Sequence, residues 1–538
     1  MRALPALLAA VVLVAAGCSS SGKAAAARKP ATTTNAGCRP PAADPAVPVS
    51  TPVAGVASDR DLTSFDGTKI RVHWFPIQGR STAPTLLMGP GWGMAGDTNT
   101  RTAGVPGSLS IRTLQNAGYN VLTWDPRGFG RSGGTIEVDS PAFEGRDVQR
   151  IIDWVAAQPG VQLDGTRDPR LGMLGVSYGG GIQLTTAPID CRVDAIVPSW
   201  AWHSLTTSLA KNGVYKAGWS TLLYAAARGH SLDPHITAGN AYANTHGTVD
   251  PVDVDWFAQR GPGDAVSQIR VPTLFVQGES DNLFTLQEAV TNYDLVKRTG
   301  VPTAMLWTCG GHGVCLTNPG DPTTVAQATL AWLARYVQRD QSVATVAKFA
   351  FIDQNGVRYT AADYPLPTGA PLVGDGHGTL NLVATGGSGP ANTSTSRDPL
   401  ASVAGIITPG RASNALDVDI AAGSRAAVVV GAPQLRITYR GTAPAGERPT
   451  AVFAQVVDDA TGIVVGNQIT PVALTLDGQT HTATVPLEII AFAARPGSRL
   501  TLQLVPTTVA YAQPRLGGQI EFDAVHVELP VAAGLNPA

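Results

Sequence analysis

A serine of this chain lies in the sequence context of a catalytic nucleophile. The pattern Gly-x-Ser-x-Gly occurs at 175–179 with Ser177 at its centre, directly after the apolar run Leu171–Leu174 and before a helix start of small residues. The flanking glycines leave room for a sharp turn in which the serine adopts a strained backbone conformation. The alternative is a surface serine in a glycine-rich turn. A serine hydroxyl needs a base to remove its proton, so the pattern predicts acyl chemistry that also requires a histidine and an acid.

The acid and the histidine of such an arrangement follow the serine in chain order. Asp281 comes just after the predicted strand Thr273–Gln277 and is expected to be the acid, with Glu279 as its nearest rival. His312 comes just after the predicted strand Thr303–Thr308 and is expected to be the base, because none of the other eight histidines ends a predicted sheet strand. The alternatives are a solvated loop carboxylate and a loop histidine held by its flanking glycines.

Negative charge that develops on a substrate oxygen needs backbone N–H donors already in place. The residue after the nucleophile, Tyr178, is expected to supply one donor. The loop that follows the strand at 84–88 is expected to supply the other from Trp92, with Gly93 as the alternative. The chain has no phosphate-binding loop, no His-Glu-x-x-His pattern and no zinc-type cysteine spacing, so no metal and no cofactor are expected.

The elements that must position these residues alternate between apolar runs and amphipathic helical stretches from residue 53 to 345. This alternation predicts an α/β domain with a mostly parallel sheet, interrupted by an inserted cap at about 202–263 that is rich in aromatic residues and histidine. From 346 to 538 short segments of period two predict a separate all-β domain of the sandwich or jelly-roll type. The 59 glycines and 40 prolines argue against a helical bundle.

The N-terminus has the pattern of an export signal. Met1 and Arg2 precede an apolar run to Ala16, and the following Gly17-Cys18 completes a sequence that resembles a bacterial lipobox. Residues 1–18 are therefore expected to be a lipoprotein signal peptide with Cys18 lipidated, and 19–52 a disordered tether to the outer face of the cell membrane. The alternative is ordinary secretion after cleavage near Ala16. The net charge of −2 argues against nucleic acid as a partner, and nothing in the sequence indicates an oligomeric state.

Lipidation of Cys18 would leave four of the five cysteines to pair outside the cytosol. Cys309 and Cys315 flank the predicted catalytic histidine with three glycines between them, so we expect a disulfide that braces this loop. Cys38 and Cys191 then form a second possible bridge. The alternatives are that Cys309 and Cys315 are buried free thiols, or that one of them pairs with Cys191.

Several stretches also match a known family. They lie at 65–69, 124–134 and 144–154 and lead to the serine motif at 175–179, and the resemblance runs from about Thr63 to Val531. The chain resembles the X-Pro dipeptidyl-peptidase and cocaine-esterase-like (CocE/NonD) branch of the α/β-hydrolases. The resemblance implies a triad of Ser177, Asp281 and His312, and a jelly-roll domain that helps to wall the active site. The chain departs from the branch at Trp92, where the oxyanion loop often carries a tyrosine donor.

Together these patterns predict an exported serine hydrolase that works through an acyl-enzyme. The substrate is expected to be a small peptide with an X-Pro amino end or an acyl ester, and both versions stay open. The same residues would also serve an acyltransferase. A further alternative is a surface-tethered binding protein that keeps the hydrolase fold without turnover, because a fold alone does not establish function.

Overall fold

The computed structural model describes residues 38–42, 56–102, 109–393 and 401–537. The predicted signal peptide, Cys18 with its predicted lipid, and the tether except for 38–42 lie outside the described residues. Cys38, in the described part of the tether, forms a disulfide with Cys191 of the α/β domain. Among the described residues, none of the helices combines the length and the apolar character that a membrane span needs.

The strands of the first part of the chain belong mainly to one large sheet. In chain order they are β1 (Ser58–Thr63), β2 (Lys69–Phe75), β3 (Thr85–Gly89), β4 (Asn120–Trp124), β5 (Leu163–Gly165), β6 (Asp168–Pro169), β7 (Leu171–Val176), β8 (Ala195–Ser199), β9 (Thr273–Gly278), β10 (Thr303–Thr308), β11 (Phe349–Ile352) and β12 (Arg358–Ala361). The large sheet has the order β1-β2-β4-β3-β7-β8-β9-β10-β11-β12 and is parallel from β4 to β11. Strands β5 and β6 form a separate hairpin.

Helices cover both faces of this sheet because its central strands are buried on both sides. In the first part of the chain the helices are α1 (Ile111–Asn116), α2 (Glu144–Ala156), α3 (Tyr178–Thr186), α4 (Leu205–Leu209), α5 (Ala217–Ala226), α6 (Pro234–His246), α7 (Pro251–Ala258), α8 (Leu286–Lys297) and α9 (Thr324–Tyr336), and the single turn α10 (Ala401–Ala404) lies in the C-terminal region. One core joins the sheet to α2, α3 and α8, and a second core joins it to α1 and α9. Helices α4 to α7 lie between β8 and β9 and form the predicted cap.

The C-terminal region is an all-β domain, as predicted. Its strands are β13 (Leu372–Asn381), β14 (Leu416–Ala421), β15 (Ala427–Gly431), β16 (Gln434–Thr442), β17 (Ala451–Asp458), β18 (Ile463–Ala473), β19 (Asp477–Pro486), β20 (Ile490–Ala494), β21 (Arg499–Val505), β22 (Gln519–Leu529) and β23 (Asn536–Pro537). Two antiparallel four-stranded sheets, β13-β22-β16-β19 and β14-β21-β17-β18, share one apolar core. This is a sandwich, in which alternate side chains of each strand point inward.

The boundary between the two domains differs from the predicted position at 345–346. Strand β11 pairs in parallel with β10, β12 follows it as an antiparallel hairpin, and β23 at the far end of the chain pairs with β12. The large sheet therefore extends to Ala361 and takes its last strand from the C-terminus. The period-two pattern after residue 346 predicts strands, but it does not reveal which sheet each strand joins.

Candidate active site

Ser177 occupies the sharp turn between β7 and α3. Its backbone has φ 56° and ψ −117°, a conformation that costs energy and must be held by its surroundings. The turn fits only because glycines flank it: a Cβ on Gly179 would lie 2.1 Å from the Gly89 carbonyl oxygen, and one on Gly175 would lie 2.7 Å from that of Gly179. The Ser177 N–H donates to the carbonyl of Ser199 on the neighbouring strand at 2.9 Å. The elbow is thus built from β7, its neighbours and the first turn of α3.

Asp281 and His312 meet at the carboxyl ends of the adjacent parallel strands β9 and β10. His312 Nδ1 lies 2.7 Å from Asp281 Oδ2. The other carboxylate oxygen of Asp281 accepts the backbone N–H groups of Leu283 and Phe284 at 3.0 and 2.9 Å. A proton on Nδ1 leaves Nε2 as the acceptor, and no described residue is a hydrogen-bond partner of this buried Nε2 atom. The pair therefore has the arrangement of a base oriented by an acid.

Glu279, the rival acid, makes no hydrogen bond to His312 among the described contacts. Its side chain lines a different cavity, and Oε1 is buried without a hydrogen-bond partner in the described part of the chain. Burial raises the pKa of Glu279 well above its usual range, and the nearby charge of Asp353 raises it further. A carboxyl that favours its neutral form in this way is poorly suited to stabilise an imidazolium.

The two predicted oxyanion donors lie beside the elbow. Tyr178 is the first residue of α3, where backbone N–H groups have no partner within the helix. Trp92 follows β3, and its ring packs edge-on against that of Tyr178 at a centroid distance of 5.3 Å. The Trp92 indole N–H donates to the carbonyl of Leu223 in the cap at 2.9 Å, which fixes the side chain and with it the loop. Both residues and Ser177 border the same cavity.

This cavity has a volume of about 110 Å³, which is room for an organic group, since a single water needs only about 10–15 Å³ by the same measure. Most of its wall comes from α4 to α7 of the cap. None of the described residues that line it is charged: Trp92, Val138, Ser177, Tyr178, Trp202, Leu205, Thr206, Leu209, Ala210, Tyr215, Ser220, Leu223, Tyr224, Ile236, Gly239, Asn240, Val249, Val254, Phe257 and Phe284. The surface beside the serine thus suits an uncharged, apolar group.

Aromatic rings surround the histidine. The rings of Phe284, Trp219 and Trp200 stand edge-on to the His312 imidazole, with centroid distances of 5.1, 5.8 and 6.1 Å. His312 is 13% exposed at its side chain and Asp281 is fully buried. Exclusion of water strengthens the interaction between the carboxylate and the imidazole.

Residues of the cap hold the loop that carries Asp281. Lys216 Nζ donates to the carbonyl of Leu283 at 2.8 Å, and the Trp219 indole N–H donates to the Asn282 side-chain oxygen at 2.7 Å. Sequence reasoning missed Lys216 and Trp219. The available signal was a lysine at the start of an apolar, aromatic stretch, which indicates a buried charge with a polar partner.

The loop that carries His312 is closed by a disulfide. Cys309 and Cys315 are bonded, with their Cα atoms 5.4 Å apart. The structure thus joins the two cysteines that the sequence analysis paired. In the ranges that the structure describes, no three side chains of His, Cys, Asp or Glu come together as a metal site.

Comparison with known proteins shows what the region around this site is similar to. Residues 66–314 match the model of the X-Pro dipeptidyl-peptidase (S15 family). A polyketide transferase of Gibberella fujikuroi is 26% identical over 160 residues, which cover 28% of this chain and 46% of that protein. The chain thus spans less than half the length of this curated relative.

Two solved structures share the fold over most of the chain. An aminopeptidase from a marine sediment archaeon, Thaumarchaeota archaeon, superposes with a TM-score of 0.66 at 13% identity and covers 91% of this chain and 99% of its own. The CocE/NonD family hydrolase SACOL2612 of Staphylococcus aureus has a TM-score of 0.61 at 13% identity, with 88% of this chain and 93% of its own covered. In this partial family match and this shared fold, the chain is similar to the α/β-hydrolases of the X-Pro dipeptidyl-peptidase and CocE/NonD type.

Proposed function

We propose that this enzyme hydrolyses esters of uncharged, apolar acyl groups through an acyl-enzyme on Ser177. The observation that carries the proposal is the cavity beside Ser177, whose lining contains no charged residue in the described part of the chain. An apolar acyl group gains free energy on entering such a cavity, at about 25 cal/mol per Å² of apolar surface removed from water. An ammonium group would lose its hydration there without an opposite charge to replace it.

The proposed reaction uses the residues at the elbow and at the ends of β9 and β10. The Ser177 hydroxyl attacks the ester carbonyl carbon while His312 Nε2 takes its proton, and Asp281 stabilises the imidazolium that forms. The carbonyl oxygen becomes an oxyanion that accepts the backbone N–H groups of Tyr178 and Trp92. The intermediate collapses as His312 gives the proton to the leaving alcohol.

Water completes the cycle. His312 removes a proton from a water molecule that attacks the acyl-enzyme, and the second tetrahedral intermediate releases the carboxylic acid and returns the proton to the Ser177 oxygen. An acceptor alcohol in place of water would give acyl transfer with the same residues. The similarity to a polyketide transferase is a reason to test for this acyl-transfer reaction.

The second candidate is an X-Pro dipeptidyl-peptidase, which the family match at 66–314 favours. Such an enzyme needs an acidic anchor for the amino end of its substrate. Glu279 does not fill this role, because it lines a different cavity from Ser177. For this reason we rank the ester substrate above the peptide.

A paired substrate panel separates the two candidates. Nitrophenyl esters of acetate, butyrate and hexanoate are compared with X-Pro nitroanilides, using the wild type and Ser177→Ala. We expect kcat/KM to be highest for an ester with several carbons and to be abolished in the variant. A preference for the X-Pro amides would overturn the proposed substrate and leave the serine mechanism in place. Added alcohol acceptors, with product analysis, report acyl transfer in the same assay.

We also propose that the enzyme is exported and held at the membrane by a lipid on Cys18. The two disulfides support export, since bridges of this kind form and persist in oxidising compartments. Cys18→Ser should move the protein from the membrane fraction to the medium, because the lipid is the proposed anchor. A matched Ser19→Ala variant should stay with the membrane. Retention of Cys18→Ser at the membrane would refute the anchor.

A further inference from the structure

One strand of the all-β domain departs from regular pairing where it faces the catalytic loops. Strand β18 pairs with β17 in two registers, and the residues between them are pushed out as a bulge. Within the bulge, Gly466 and Asn467 both have positive φ, at 61° and 53°. Asparagine tolerates this conformation better than most residues, and glycine adopts it freely. The bulge therefore re-aims the side chains that follow Gly466.

Gln468 uses this bulge to reach the loop that carries the catalytic acid. Its Nε2 donates to the carbonyl oxygens of Asp281 at 3.0 Å and Glu279 at 3.1 Å, and also to that of Gly466 at 2.9 Å. The side chain is buried, with 4% of the residue exposed. Backbone carbonyls on both sides of Ser280 are thus held by one amide group.

Asn467 reaches the other catalytic loop. Its Nδ2 donates to the carbonyl oxygen of Val314 at 2.7 Å, two residues after His312, and Asn467 is 2% exposed. Two consecutive side chains of the all-β domain therefore bind the acid loop and the histidine loop, one each. The two loops follow neighbouring parallel strands, so a single rigid strand can set their separation.

The close approach of the bulge depends on its glycine. A Cβ on Gly466 would lie 2.9 Å from the carbonyl oxygen of Glu279. The histidine loop itself contains Gly310, Gly311 and Gly313, two of them with positive φ, and such a segment has little intrinsic stiffness. External hydrogen bonds are therefore an effective way to restrict it.

We propose that Asn467 and Gln468 are positioning residues of the hydrolase reaction, through which the all-β domain fixes Asp281 relative to His312. The proposal rests on the triad of the proposed function, but not on the identity of the substrate. Neither residue touches the reacting atoms; they act through the acid and the base. A displacement of a catalytic group by about 1 Å costs on the order of 10²-fold in rate, so loss of either amide should slow the reaction strongly.

The test measures how fast a fluorophosphonate labels Ser177, since this rate reports activation of the serine whatever the substrate is. Gln468→Met keeps the size of the side chain and removes both donors, and Asn467→Gly keeps the positive φ and removes the Nδ2 donor. We expect a 10- to 100-fold slower rate for each. Gln503→Met is the matched control, because Gln503 is a buried glutamine of the same domain whose partners, Ala412, Asp417 and Gln455, all lie within that domain. It should lower stability while the labelling rate stays within about threefold of wild type.

A double-mutant cycle with Asp281→Asn separates positioning from a general loss of structure. If Gln468 acts through Asp281, then Gln468→Met should slow labelling much less in the Asp281→Asn background than in the wild type. Equal fold-losses in the two backgrounds, or an unchanged rate in both single variants, would overturn the proposal. If Gln468→Met fails to fold, Asn467→Gly replaces it in the double-mutant cycle with Asp281→Asn. If the ester panel fails while the double-mutant cycle shows the expected coupling, the proposed substrate is rejected and the positioning role stands.

Discussion

The two halves of the proposed catalytic site are held in place by different means. The nucleophile half is local: Ser177, the glycines around it and the start of α3 form one continuous segment, supported by adjacent sheet strands. The acid and base half is assembled from a distance. The loop of Asp281 takes hydrogen bonds from Lys216 in the cap and Gln468 in the all-β domain, and the loop of His312 takes one from Asn467 in the all-β domain. The comparison teaches that the insertion lines the cavity beside Ser177, whereas the all-β domain contributes no lining residue there among the described residues and instead hydrogen-bonds the two loops.

The nucleophile half should be the most sensitive to a single change. Ser177→Ala removes the proposed attacking oxygen and is expected to lower kcat by ~10⁴-fold or more, as the loss of a triad member does in serine hydrolases. Stability should change little, because the side chain makes no hydrogen bond that the described structure depends on. The measurement is ester turnover together with thermal unfolding. A rate near that of the wild type would remove Ser177 from the mechanism.

In the acid and base half, variants of the two candidate acids, Asp281 and Glu279, should differ in their effect on kcat. Asp281→Asn is expected to lower kcat by ~10³- to 10⁴-fold, since the amide would hold the imidazole in the wrong tautomer. Glu279→Gln should change kcat by less than about threefold, because Glu279 makes no hydrogen bond to His312 in the described part of the chain and already favours its neutral form. Steady-state kinetics of the two variants give the comparison directly. The reverse ranking would move the acid assignment to Glu279.

The disulfide in the histidine loop should have an intermediate effect. Cys309→Ser with Cys315→Ser opens a loop of a few residues that contains His312, so we expect kcat to fall about 10-fold while the midpoint of thermal unfolding moves little. Serine at Cys38 and Cys191, whose bridge spans 153 residues, is the matched control and should lower stability more than activity. An unchanged kcat in the first variant would assign the short bridge no role in positioning.

The cap contact to the acid loop should produce the smallest effect on activity and a clear effect of pH on stability. Burial lowers the pKa of Lys216 to about 8; Lys211 lowers it as well, whereas Glu488, Glu288 and Asp281 act in the opposite direction. The unfolded chain therefore binds more protons above about pH 8. The free energy of unfolding of the wild type, relative to Lys216→Met, should rise on the order of 3 kcal/mol from pH 7 to above pH 10. Urea unfolding of both proteins at several pH values measures this difference, and a constant difference would contradict the burial of a charged Lys216.

The contrast between a local nucleophile half and an acid and base half assembled from distant residues also explains how much the sequence could predict. Ser177 and its elbow were predictable because a strained turn requires glycines at fixed spacing, and β9 and β10 were predictable as apolar runs that end at Asp281 and His312. The cap and the all-β domain also followed from changes of periodicity. The hydrogen bond from Gln468 to the acid loop could not be predicted from the sequence. Gln468 lies 187 positions from Asp281, and the two residues meet only in the folded state.

A local signal for this contact was nevertheless present. Gly466-Asn467 interrupts the apolar run of β18, and such a pair indicates a bulge or a turn. It could predict that the strand bends, but not toward which loop. Strands β11 and β12 show the same limit, since their place in the large sheet depends on the pairing of β11 with β10 and of β12 with β11.

The acyl-enzyme itself offers the most direct test of the central claim that Ser177 carries an apolar acyl group during turnover. The wild type is mixed with nitrophenyl hexanoate, quenched in acid within the first turnovers and digested, and the peptides are analysed by mass spectrometry. We predict a burst of about one nitrophenol per enzyme and a hexanoyl mass on the peptide that contains Ser177, both absent from Ser177→Ala. Turnover without a covalent adduct, or an adduct on another residue, would contradict the account.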